Sequence, residues 1–341
     1  MIEYDYQVYK HSQPFEMECG EVLPEVEIAY CTFGELNEKK DNVVWICHAL
    51  TANADPVDWW PGLVGDGFLI DPKKYFIVCA NMLGSCYGST GPTSINPKTR
   101  HPYKSTFPLV TIRDIVKSLG LLQTTLGINQ IHLAIGGSMG GQQVVEWAIA
   151  DSGLFKNICI LASNAYHSAW GIAFNETQRM AIRADQTFLS DDPKAGEQGL
   201  EAARAIAMLS YRNYGTYVST QTNEEAVNDN FKSSSYQNYQ GQKLRKRFDV
   251  HSYYTLSKAM DSHNVSWGRN SLEEALSSIK ANAMIIGIMS DILFPIQEQR
   301  FLAEHIPGAV LEEIDSLYGH DGFLIETKIL TEKINKLINY D

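Results

Sequence analysis

The chain has 341 residues, 44% hydrophobic and 20% charged, enough to bury one large domain or a core with an insertion and too apolar for a disordered chain. Its net charge of −12 argues against nucleic acid or an anionic membrane as the main partner, although a local basic cluster could still hold a small anion. The six cysteines show no CxxC or metal-ligand spacing, which predicts buried free thiols in a reducing cytoplasm and no metal site. The N-terminal MIEYDYQVYK has no apolar secretion segment, and no apolar run approaches the roughly 18 residues of a membrane helix.

In chain order, residues 1–35 read as short strands with turns, EVEIAYCTFG among them. Continuous apolar runs follow at Asn42–Leu50, Lys74–Leu83, Ile131–Gly137 and Ile279–Met289, with a weaker one in AVLEEID. Runs of this kind suit strands buried on both faces of a parallel sheet. Helical patterns lie between them, VTIRDIVKSLGLLQTTL before the third run and MGGQQVVEWAIA after it. Alternation of strand and helix predicts an open α/β sheet. From about Tyr166 to Lys280 the chain is polar and mostly helix-like. GLEAARAIAMLSYRNY carries helical spacing, SSSYQNYQGQKLRKRF reads as loop, and the run Lys243–Arg247 reads as a solvated face. The expected organisation is a core of residues 1–165 and 281–341 with a helical cap at 166–280.

At the third run, Gly136-Gly137-Ser138-Met139-Gly140 fits G-x-S-x-G with strand before and helix after. So tight a strand–turn–helix strains the serine backbone and points its hydroxyl over the sheet edge; glycines flank it because side chains there would clash. A serine needs a base, and the base needs an orienting acid, expected later in the chain in the order Ser, Asp, His. Asp291 stands just past a buried strand, and His320 in a Gly-flanked loop after the next; His305, inside a helical stretch, is the competing histidine. An oxyanion needs two backbone N–H groups, for which Met139 and, after the early strand, Leu50 are the candidates. His48 is expected to hold that loop's geometry.

The blocks CHALT, WWPGLVGDG, YFIVCANMLGSCYGSTGP, FPLVTIRDIV, GGSMGGQQVVEWA and FDVHSYYTLSKAMDSH resemble the homoserine O-acetyltransferase family, in that family's order over most of residues 25–325. The resemblance implies an α/β-hydrolase fold with a cap, and acetyl transfer from acetyl-CoA to the hydroxyl of L-homoserine through a Ser138 acyl-enzyme, on the route to methionine. No permanently bound cofactor is implied, and a homodimer is expected. The arginine of the family's GLxxAR helix, Arg204 here, would bind the acceptor carboxylate. Asp321, directly after His320, would meet its ammonium, and Tyr211 and Arg212 are secondary candidates for binding the acceptor. Family members using acetyl-CoA commonly have glycine after the threonine of HALT. Ala52 and Asn53 stand here, so a succinyltransferase acting on homoserine or serine is an alternative. A plain serine esterase or thioesterase on the same scaffold is another.

Overall fold

The computed structural model describes residues 5–225 and 228–338. Four short strands open the chain: β1 (Gln7–His11), β2 (Phe15–Glu16), β3 (Val22–Leu23) and β4 (Val26–Phe33). Then come β5 (Val43–Cys47), α1 (Pro56–Trp59), β6 (Phe76–Ala80), α2 (Ile112–Thr125), β7 (Ile131–Gly137), α3 (Met139–Ala150) and β8 (Phe155–Leu161). Six helices follow before the next strand: α4 (Ala169–Ala184), α5 (Glu197–Tyr211), α6 (Tyr214–Gln221), α7 (Lys232–Arg245), α8 (Val250–Asp261) and α9 (Leu272–Ser277). The chain closes with β9 (Asn282–Ile288), α10 (Ile296–His305), β10 (Val310–Ile314), α11 (Gly322–Ile325) and α12 (Thr327–Ile338).

The main sheet runs β1-β4-β6-β5-β7-β8-β9-β10, parallel from β6 to β10 and antiparallel at β1–β4 and β4–β6. The apolar runs are continuous because each strand feeds two cores. Val43, Trp45 and Cys47 point into one, and Val44 and Ile46 into the other. β9 divides likewise, Ala283 and Ile285 against Met284, Ile286 and Ile288. α2 starts on a capping box in which Thr111 and Asp114 satisfy each other's backbone N–H groups.

Two features differ from the expectation. β8 is an interior strand of the sheet, yet FKNICIL reads poorly as a strand, because exposed Lys156 and buried Asn157 interrupt it. Asn157 is satisfied inside: it donates to the His132 carbonyl (2.9 Å) and accepts from the Asn282 amide (3.1 Å). The second is α7, expected as loop. Its inward stripe is Ser233, Tyr236, Gln237 and Gln240, half-buried, with Gly241 and Leu244 buried, helical in spacing but almost without aliphatic residues. Packing on α5 stabilises it: a Cβ at Gly241 would lie 2.8 Å from the Glu201 carbonyl, Gln237 donates to the Ala205 carbonyl (3.0 Å), and Arg245 pairs with Glu201 (2.5 Å).

β5 has β6 on one side and β7 on the other, so successive connections leave it in opposite directions. A crevice opens beyond the carboxyl ends of β5 and β7 at this switch point, the usual ligand position in open α/β sheets. Helices α5 and α7, inserted between β8 and β9, bring their side chains over it.

Candidate active site

Ser138 stands where β7 turns into α3, at φ 57° and ψ −128°. A non-glycine residue there costs about 1–3 kcal/mol and persists only when its surroundings impose it. They do: the Ser138 N–H donates to the Leu161 carbonyl (3.0 Å), and its own carbonyl accepts from Gly141 N–H (2.9 Å), Gln142 N–H (3.2 Å) and Ser163 Oγ (2.8 Å). At Gly140 a Cβ would fall 2.0 Å from the Cys47 carbonyl oxygen, so only glycine lets α3 start this close to β5.

Asp291 follows β9, and His320 lies in a short 3₁₀ turn after β10. Both are buried, and His320 Nδ1 meets Asp291 Oδ2 at 2.6 Å. The other carboxylate oxygen accepts from the N–H groups of Leu293 (2.8 Å) and Phe294 (2.9 Å). An ionised carboxylate can only accept, so Nδ1 carries the proton and Nε2 is left as the base. Phe294 stacks on the imidazole at 5.1 Å and Phe323 meets it edge-on at 5.3 Å, which fixes the ring plane. His305 is remote from this arrangement in bonding: its Nδ1 pairs with the Phe301 carbonyl one turn back (2.9 Å).

The loop after β5 is organised by His48. Burial pushes its imidazole down to about 4, against the partial support of its bond to Ala49. The ring is therefore neutral, donating from Nδ1 to the Ala49 carbonyl (2.9 Å) and accepting the Met82 N–H at Nε2 (3.4 Å). Gln143 from α3 donates to the His48 carbonyl (3.2 Å). His48 thus shapes the loop and is not poised to move a proton. The N–H groups of Leu50 and Met139 form no hydrogen bond to another described residue.

Ser138, His320 and Leu50 share a cavity of about 450 Å³ with four residues of the cap, Arg204, Tyr211, Lys243 and Arg247. Arg204, on α5, makes no ion pair among the described residues and sits 5.1 Å over the Tyr211 ring. Asp321 also lines the cavity, but it faces a cation already: Arg212 Nε is 3.0 Å from Oδ2. Burial raises the Asp321 carboxyl, and Arg212 and Arg204 oppose the rise. Arg212 is thereby committed to the protein.

Two residues of this region carried no sequence signal of their own. Arg247, expected on a solvated face, turns inward and bonds Thr51 and Tyr87. Its position directly before the FDVHSYYTL block was the available clue. Glu298, on α10, accepts from Asn164 Nδ2 (2.9 Å), and burial raises its carboxyl to about 7 against hydrogen bonds from Ser168 and Asn164.

A profile of the alpha/beta hydrolase fold matches residues 42–327. Homoserine O-acetyltransferase of Cyclobacterium marinum is 50% identical over 325 residues, 95% of this chain and 93% of that protein. Among solved structures, homoserine O-acetyltransferase from Bacillus anthracis superposes with a TM-score of 0.91 at 25% identity, covering 98% of this chain and 97% of the other. An acetylester hydrolase from Corynebacterium glutamicum gives 0.87 at 23% identity over 98% and 96% of the two chains, a likeness of fold. A strained serine between two glycine pairs, a buried Asp–His couple behind it and half-identity along nearly the whole length lead to one assignment: the chain belongs to the homoserine O-acetyltransferase family of the alpha/beta hydrolase fold.

Proposed function

We propose that the protein transfers the acetyl group of acetyl-CoA to the hydroxyl of L-homoserine through an acetyl ester on Ser138. His320 Nε2 takes the Ser138 proton as Oγ attacks the thioester carbonyl. The Leu50 and Met139 N–H groups receive the oxyanion, the C–S bond breaks, and His320 hands its proton to the departing sulfur, so CoA leaves as the thiol and Nε2 is again free as a base. Homoserine then gives its hydroxyl proton to His320, attacks the acyl-enzyme and frees Ser138. Asp291 holds the imidazole tautomer throughout and stabilises the imidazolium.

The observation that carries this reading is Arg204, which makes no ion pair among the described residues and lies in the same cavity as Ser138 and His320. Simple ester hydrolysis has no use for it, whereas an amino-acid acceptor needs a cation for its carboxylate. Asp321 can meet the acceptor ammonium while keeping Arg212 behind it, since a carboxylate has lone pairs for both. Homodimer assembly and a cytoplasmic location belong to the same reading; six free cysteines, five of them buried, support the reducing compartment.

The test is incubation with acetyl-CoA alone. One acetyl group should appear on the Ser138 peptide and be discharged on adding L-homoserine, with parallel initial-rate plots. Absence of the adduct with intersecting plots overturns the covalent route. An adduct that water removes as fast as homoserine does identifies an esterase, and an adduct formed only from succinyl-CoA identifies the other donor.

A further inference from the structure

The loop between β5 and α1 is held from the core at both ends. Gln143 binds the His48 carbonyl, while the Asn53 carbonyl accepts from Trp59 Nε1 (2.9 Å) and Cys79 Sγ (3.7 Å). Its middle is held from the cap. Arg247 Nη1 donates to the Thr51 carbonyl (2.5 Å) and to Tyr87 Oη (2.9 Å), and Nη2 donates to Thr51 Oγ1 (3.3 Å). Among the described residues, Arg247 is the cap side chain that hydrogen-bonds this loop.

Peptide planarity makes the contact consequential. The Thr51 carbonyl and the Ala52 N–H belong to one rigid plane. That N–H donates to the Ala49 carbonyl (3.0 Å). The Ala49 carbonyl in turn shares its plane with the Leu50 N–H, the early-loop donor for the oxyanion. Two planes joined by one turn hydrogen bond therefore connect the guanidinium to the oxyanion hole. We infer that Arg247 is a positioning residue through which the cap sets the direction of the Leu50 N–H. The guanidinium suits the task, presenting several donors in one plane, two of which meet Thr51. Tyr87, buried and braced edge-on by Phe248 at 5.5 Å, holds the guanidinium from behind. Acyl transfer would thereby be coupled to a properly seated cap, which limits hydrolysis when the cap is displaced.

This inference rests on the acyl-enzyme reading above, so its test uses probes that need neither CoA nor homoserine. An alkylboronic acid bonds Ser138 Oγ and places a tetrahedral anionic oxygen in the oxyanion hole; p-nitrophenyl acetate reports acylation as a burst. Arg247→Met should lose boronate affinity and burst rate together, by about tenfold to a hundredfold, the scale of a misdirected oxyanion donor. The melting temperature should change little, and Arg247→Lys should recover part of the loss. Tyr87→Phe touches neither the cavity lining nor Thr51. It should show the same paired loss at smaller size, and add little in the Arg247→Met background. Unchanged boronate affinity with a raised acetyl-CoA KM in Arg247→Met overturns the inference and makes Arg247 a donor-binding group. Independent, additive losses for Tyr87→Phe and Arg247→Met overturn it as well, as does a loss that follows the melting temperature. If both probes behave as expected but the wild type does not acylate homoserine, the inference stands and the proposed function falls.

Discussion

The core wall of the cavity presents its reactive groups through backbone, whereas the cap wall presents its own on long side chains. On the core side, Ser138 is fixed by four hydrogen bonds to its own peptide groups, and Asp291 and His320 by neighbouring N–H groups and flanking rings. Little there can adjust. On the cap side, Arg204 rests on Tyr211 without an ion-pair partner among the described residues, and α7 packs through a half-buried, largely polar stripe. Such helices can shift with less cost than a strand packed on both faces. The core wall is thus rigid, and the cap wall carries the proposed acceptor-binding groups on side chains with more freedom to adjust.

That contrast assigns different damage to the two walls. The largest loss is expected from Asp291→Asn. Asparagine keeps the bonds to Leu293 and Phe294 N–H but favours the wrong imidazole tautomer, so both half-reactions should slow by about 10⁴, as in other Ser-His-Asp triads. Stopped-flow acylation and deacylation measure the two steps; a loss confined to one would show that the core wall does not act as a unit. Arg204→Ala comes next. Removing a charge-assisted pair should lower kcat/KM for homoserine by about a hundredfold, while the first release of CoA keeps its rate. Loss of that burst at unchanged acceptor KM would place Arg204 with the donor and end the division between walls.

The smallest effect is on stability and concerns the seam between core and cap. The Glu298 carboxyl titrates at about 7 in the fold against 4.5 for a free glutamate, with burial as the main cause. The native state then holds more protons than the unfolded state between those values, so this group's contribution is fully present below 4.5 and is lost as pH rises through 7. Glu298→Gln keeps the acceptor for Asn164 and has no charge to bury. Its melting temperature relative to wild type should rise by about 2 °C or more between about pH 5 and about pH 8. A constant difference across that range would mean that the carboxylate is solvated.

The sheet and the strained serine turn were legible in the chain because both are written in short-range pattern. Continuous apolar runs require two covered faces, and Gly-Gly-Ser-Met-Gly between strand and helix admits few conformations. Asp291 and His320 could be chosen because each follows a strand end, where side chains overhang the crevice. Only tertiary structure decided the rest. FKNICIL becomes an interior strand because Asn157 finds partners in His132 and Asn282, neither its neighbour in sequence. α7 is a helix because α5 accepts Gly241, Gln237 and Arg245 against it. Asp321 meets Arg212, and Arg247 leaves an apparently solvated run to bond Thr51, 196 positions away. Local propensity carries no information about a partner so distant, so long polar side chains were where the sequence was silent and the packed fold chose.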